Sequence, residues 1–136
     1  MKKIVVPAIA IVAVLVIGII LLNKDKEEKE VINYVSSNYI KLEEIANNYL
    51  QNNQVAFPKY IKSVNVYNGT KTTTVEFAVN DNYGFYYSTD NLPTGNKNLD
   101  VNLLGLGDNR YTWEDNNGKG IIQKIRDYWY FYKITK

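Results

Sequence analysis

The 136-residue chain contains no cysteine and no histidine. The first absence rules out disulfides, thiolate nucleophiles and thiolate metal ligands. The second removes the usual general base near neutral pH, and with it the Ser-His-Asp triad and most zinc sites. Any catalyst would have to be assembled from Asp, Glu, Lys and Tyr. An excess of one charge is lacking too. Residues 33–136 carry eleven basic and ten acidic side chains, a balance that offers no basic face to nucleic acid. The chain also has no Gly-rich phosphate loop, no internal repeat and no low-complexity tract.

Charge is absent altogether from Ile4 to Leu22, IVVPAIAIVAVLVIGIILL. At about 1.5 Å per residue these nineteen residues span roughly 28 Å as a helix, close to the thickness of a bilayer's hydrocarbon core. Pro7 falls in the first turn, where its missing donor costs little. No side of the run is polar, unlike a helix that half-faces water. A transmembrane anchor over 4–22 is therefore expected, after a short tail at 1–3. The run ends in IILLNKDK without small residues at a cleavage spacing, so the anchor is expected to be retained. Lys2 and Lys3 nearly balance Lys24, Lys26 and Lys29 in the basic-residue rule. The Met-Lys-Lys start resembles an export signal and sets the expected orientation, N-terminus inside and domain outside. An exported domain without disulfides suits a Gram-positive cell envelope.

Residues 23–30, NKDKEEKE, read as a charged juxtamembrane spacer ahead of a domain over 31–136. In that domain Ile32, Val35, Tyr39, Leu42, Ala46, Tyr49 and Leu50 recur at three- and four-residue steps, with Ser36, Ser37, Lys41, Glu43, Glu44 and Asn47 between them. This is an amphipathic helix, ended by Asn52-Asn53 and Phe57-Pro58. After Pro58 the period falls to two. Tyr60–Tyr67 and Lys71–Val79 read as strands joined by the hairpin signal Asn68-Gly69. In the second strand Val75, Phe77 and Val79 face one way, Thr74, Glu76 and Ala78 the other. Gly84–Ser88 is a short strand and Leu92–Gly107 reads as loop. Tyr111–Glu114 pairs through 115–118 with Ile121–Ile125, a helix over Ile121–Asp127 being the alternative, and Tyr128–Thr135 closes the chain as a strand. The expected fold is α+β, an amphipathic helix on an antiparallel meander of about four to six strands.

Few motifs carry chemistry. Asp81, Asp90, Asp100, Asp108, Glu114 and Asp115 are candidate acid/base carboxylates, but most adjoin Asn or Gly as turn chemistry alone requires. DNNG at 115–118 would place Trp113 at the first position of a calcium loop, and Asp100–Gly105 fails similarly, so neither is an EF-hand. LPTG at 92–95 lacks the hydrophobic tail of a sorting signal. No cofactor, metal site or catalytic residue is expected.

Aromatics are plentiful: twelve Tyr, four Phe and two Trp. In DYWYFYKI, residues 127–134, strand alternation puts Tyr128, Tyr130, Tyr132 and Ile134 on one face and Trp129, Phe131 and Lys133 on the other. Phe85 and Tyr87 likewise oppose Tyr86. One face is expected to meet the helix. The second is either ordinary cross-strand packing or an exposed tyrosine patch, because Tyr and Trp dominate interface hot spots. Tyr86, Trp113, Tyr128, Tyr130 and Tyr132 are the candidate partner-binding residues.

GFYYSTDNLP at 84–93, YTWEDNNGKG at 111–120 and IRDYWYFYKI at 125–134 are similar to segments of small single-pass membrane-anchored proteins of Firmicutes. The likeness covers about the last fifty residues and the anchor layout, and implies no particular activity. An apolar helix running into an amphipathic one and then a sheet also looks like a type IV pilin. The pilin pattern needs a processing Gly and a Glu five residues into the run, where this chain has Lys3 and Ala8. The leading expectation is thus a non-enzymatic, membrane-anchored envelope protein that binds another protein or a cell-wall component. A small-molecule or glycan-binding domain, cystatin-like or NTF2-like with its pocket between helix and sheet, is the alternative. A pilin-like subunit without the processing motif and an acid/base enzyme remain as further readings.

Overall fold

The computed structural model describes the backbone of residues 2–135 and the side chains of residues 26–135. A helix, α1 (Lys2–Leu50), precedes seven strands: β1 (Ser63–Asn68), β2 (Thr73–Ala78), β3 (Tyr83–Ser88), β4 (Leu103–Gly107), β5 (Arg110–Asp115), β6 (Gly118–Arg126) and β7 (Trp129–Thr135). The chain divides into two compact units, Met1–Glu30 and Val31–Lys136. The side chains of the expected anchor, 4–22, and of the tail, 1–3, lie outside the described residues. Among the described residues no helix is long and apolar enough to cross a membrane.

From Val31 onward α1 follows its sequence pattern. Val31, Val35, Leu42, Ile45 and Ala46 are buried, at three-, four- and seven-residue spacings, while Ser36, Ser37, Lys41, Glu44 and Asn47 face water. Ile32, Tyr39, Tyr49 and Leu50 form the half-buried flanks of this stripe rather than its centre. The helix stops at a Schellman cap. Asn53 N–H donates to the Asn48 carbonyl at 2.9 Å and Asn52 N–H to that of Tyr49 at 3.1 Å. Asn52 itself adopts φ 60°, which asparagine tolerates better than most residues.

All seven strands form one antiparallel sheet in the order β1-β2-β3-β7-β6-β5-β4. Two meanders, β1 to β3 and β4 to β7, are joined where β3 pairs with β7. The residues between β3 and β4 must therefore carry the chain from mid-sheet to the far edge. The sheet is α+β as expected but has more strands, because β4 lies inside the segment read as loop. It pairs with β5 through the two-residue connection Asp108-Asn109, with φ 53° and 59° at its two residues. Paired positive φ is the mark of a tight hairpin turn. Residues 121–127, for which a helix was the alternative, belong largely to β6, and its register with β5 and β7 runs through Ile121 and Ile122.

The helix lies on the face formed by Val75 and Phe77 of β2, Phe85 of β3, and Trp129 and Phe131 of β7. Phe77 and Phe85 stack at 5.0 Å with rings 8° from parallel, and Trp129 leans on both. Each such fully buried aromatic contributes about 2–3 kcal/mol of apolar burial. The Arg126 guanidinium sits 3.4 Å from the Tyr39 ring centre, tying the helix to the end of β6.

Candidate functional site

The site begins with the second face of the sheet, the one turned away from the helix. Period-two alternation delivers Tyr86, Trp113, Ile122, Tyr130 and Tyr132 to it, and all five are buried. The cover is the β3–β4 connection, residues 89–102, strapped across the sheet by hydroxyl groups. Thr94 N–H donates to the Tyr86 hydroxyl at 2.9 Å, and that hydroxyl donates to the Thr94 carbonyl at 3.2 Å. The Tyr130 hydroxyl donates to the Asn91 carbonyl at 2.9 Å. Near the start of the strap Leu92 N–H is taken by Ser88 Oγ and Asp90 N–H by Thr72 Oγ1. At its far end the Asp100 carboxylate accepts from both Thr70 N–H and Thr70 Oγ1 at 2.9 Å.

The expected tyrosine patch is thereby corrected. Tyr86, Tyr130 and Tyr132 are only 2–3% exposed and Trp113 is 7% exposed, so none offers its face to a partner. Burial pushes the Tyr86 hydroxyl well above its ordinary value and the Tyr130 hydroxyl up to about 12, so both act as neutral hydrogen-bonding groups. Tyr128 is the exception, with 43% of its surface exposed. It does not share the face of Tyr130. With φ 74° it stands in the turn before β7 and stacks on Tyr87 at 5.9 Å, toward the helix side. The structure brings Tyr86, Tyr130 and Tyr132 into one aromatic cluster and leaves Tyr128 outside it.

Where the strap passes over β1 and β2 it leaves a cavity of about 370 Å³. Its floor is Glu76, Ala78, Tyr132 and Ile134, its outer wall Ser63, Asn65 and Tyr67, and its roof Asn96 and Lys97. Lys62 and Asp81 stand at one end as an exposed ion pair. Glu76 decides the character of this space. It is 5% exposed, and its Oε2 is enclosed without a hydrogen-bond partner. Burial raises the pKa of its carboxyl, opposed by the Lys97 charge and a side-chain hydrogen bond from Asn65, its cross-strand neighbour. Tyr67 and Tyr132 are raised as well, each by burial first and by the Glu76 charge second. A buried acid with a bare oxygen costs stability unless something occupies the space beside it.

Four of the six carboxylates named as possible acid/base groups are engaged structurally. Asp81 pairs with Lys62, Asp100 caps Thr70, Asp90 accepts from Thr89, and Asp115 holds its own turn and Asn98. Among the described residues no group of three carboxylates is placed to hold a metal ion. Of the pocket residues, sequence reasoning singled out Tyr132 and, as a candidate carboxylate, Asp81. Glu76 was on the correct face, and an acid flanked by Thr74 and Ala78 on an inward-facing row was the available signal. Comparison of the chain with protein-family models, with curated proteins and with solved structures gave no match.

Proposed function

We propose that this chain is a membrane-tethered binding protein of a bacterial cell envelope. In this reading residues 4–22 anchor it, the α+β domain lies outside, and the ligand sits in the polar pocket around Glu76. The single observation that supports it is a polar cavity of about 370 Å³ lined by Glu76, an acid only 5% exposed, together with Asn65, Asn96 and Lys97. Around 300 Å³ and a few convergent polar groups are what a small-ligand site requires. The pocket favours the small-molecule or glycan alternative over a protein docking on tyrosines. It lies on the sheet face away from the helix, not between helix and sheet. A binding role is favoured over catalysis because Asp81, Asp90, Asp100 and Asp115 are already engaged in structural hydrogen bonds and an ion pair.

The test is photocrosslinking in native membranes with the full chain, a photoreactive side chain replacing exposed Lys97 at the roof. A Glu76-dependent adduct supports the reading, and an adduct profile unchanged by Glu76→Gln overturns it. Protease access on whole cells checks the orientation in the same preparation.

A further inference from the structure

The two outer strands of the sheet, β1 and β4, are not equivalent edges. Val64, Asn65 and Val66 of β1 share a cavity with Asn52 and Gln54, so the connection from α1 stands beside that edge. β4 pairs with β5 on one side and, among the described residues, with no strand on the other. Such an edge leaves alternate N–H and C=O groups open to a further strand, and proteins commonly blunt it with charge, proline or a bulge. Residues 101–107, VNLLGLG, contain neither charge nor proline. The register irregularity between Gly105 and Gly107 lies at the turn end and leaves Leu103–Gly105 regularly paired.

The side chains of this edge point to a partner. Leu103 packs with Trp113 on the strap side, whereas Leu104 is 66% exposed and Leu106 55% exposed. A matching strand is extended, uncharged and apolar at alternate positions, and β4 itself answers that description. We infer that two copies of the chain join β4 to β4, antiparallel, into one continuous sheet. A two-fold axis perpendicular to the sheet keeps like faces together, so it must pass through a residue. With the axis at Gly105, Leu104 of each copy meets Leu106 of the other and Asp108 faces Asn102. Both exposed leucines are then covered and no like charges meet. An axis at Leu106 would instead set Leu104 against Asp108. The row Ile121–Thr112–Leu104 continues across the junction into the second copy. A five-residue strand is a small interface beside the roughly 1,200 Å² typical of stable complexes, so the dimer is weak and reversible.

Because the chain has no cysteine, each introduced thiol reports one position alone. The experiment is oxidative cross-linking of the full chain in permeabilised cells, with the products sized and identified by mass spectrometry. Directly opposed residues of antiparallel strands have Cα atoms about 4.5–5.5 Å apart, within disulfide reach, whereas diagonal neighbours lie about 7–8 Å apart. Gly105→Cys should therefore cross-link to its own copy, and Leu104→Cys to a co-expressed Leu106→Cys chain. Yields about fivefold or more above that of Ser36→Cys, on the exposed face of α1, are expected for strands held together. Leu104→Lys with Leu106→Lys, added to Gly105→Cys, sets like charges opposite each other and should lower the yield about fivefold. Unchanged Trp113 and Trp129 emission shows that the domain is intact in each variant. Leu104→Cys linking to itself instead would move the axis by one residue and still support β4 pairing. Yields at the Ser36→Cys level for every β4 position overturn the inference, as does a yield that the two lysines leave unchanged. Products of β4 thiols with another protein, or preferential linkage of Leu104→Cys to Asn65→Cys on β1, overturn it as well.

Discussion

The Tyr130 hydroxyl donates to the main-chain carbonyl of Asn91 at 2.9 Å, joining the last strand to a strap thirty-nine residues earlier in the chain. The Asn91 side chain adds to the same junction, its Oδ1 accepting from Tyr128 N–H at 2.7 Å. Two tyrosines, Tyr130 and Tyr86, thus hold the segment that roofs the pocket, and their stacked rings support it from below at a centroid distance of 5.3 Å. The hydroxyls serve the fold, and through the strap they shape the site.

Removing either hydroxyl therefore acts on the strap before it acts on the core. Tyr86→Phe keeps the ring but leaves Thr94 N–H and C=O without their partner in a buried position. A loss of about 1–3 kcal/mol is expected, against about 1 kcal/mol for Tyr130→Phe. Urea unfolding measures the totals. Hydrogen exchange should locate the effect, with protection at Thr94 falling further than protection in β2 or β7.

Glu76 predicts an unusual pH dependence. Burial raises its folded-state pKa above the unfolded value of about 4.3, so the folded chain binds the proton more tightly. Its stabilising contribution is complete below the unfolded pKa and is lost as pH rises through the folded one. Stability should thus decline as pH rises from the unfolded pKa through the folded one. Glu76→Gln should flatten that decline and raise stability at pH 7.5 by about 1 kcal/mol, since no charge is then buried. Thermal melts of both proteins across pH 4–8 check the slope, and equal slopes would remove Glu76 as its source.

Much of this arrangement is legible in the chain and some of it is not. Period-two alternation assigns Phe85 and Tyr86 to opposite faces, and both assignments hold. Alternation says nothing of what covers a face. The second cover is a strap with no period at all, recognisable only because sheet order forces 89–102 across the sheet. Tyr128 escaped the alternation rule because a tight turn gives it positive φ, which reverses its direction. β4 was hidden because Leu103–Gly107 has two glycines and exposed leucines, a composition that reads as loop without its partner β5. Glu76 could be assigned to a face but not recognised as enclosed, with one oxygen lacking a partner. That property depends on Asn96 and Lys97, twenty residues away in sequence.

Asp100 gives the opposite limb of the pH profile. Its carboxylate accepts from Thr70 N–H and Oγ1, and these bonds hold its pKa below the usual carboxylate range. The contribution is present above the unfolded pKa of about 3.9 and is lost as pH falls through the folded value. Asp100→Asn should leave stability at pH 7 slightly lower and make the acid limb shallower below pH 4. Acid titration followed by tryptophan fluorescence measures this, and an unchanged acid limb would mean that the Thr70 contact contributes nothing.

Gly84 tests the close packing beneath the pocket floor. It pairs with Ala78 across β2 and β3 and with Tyr132 across β3 and β7. A Cβ at this position would lie 2.3 Å from the Phe77 carbonyl oxygen and 2.9 Å from the Tyr132 hydroxyl. The first contact is with backbone, which cannot swing aside. Gly84→Ala is therefore expected to cost about 2–3 kcal/mol, despite alanine's easier backbone entropy. Gly105→Ala is the matched comparison, because its nearest neighbours are Tyr111 ring atoms at 3.9 Å and beyond. That substitution should stay within about 0.5 kcal/mol of the parent. Equal midpoints for the two variants in urea would show that the sheet yields at Gly84, and the pocket floor would then be softer than its burial implies.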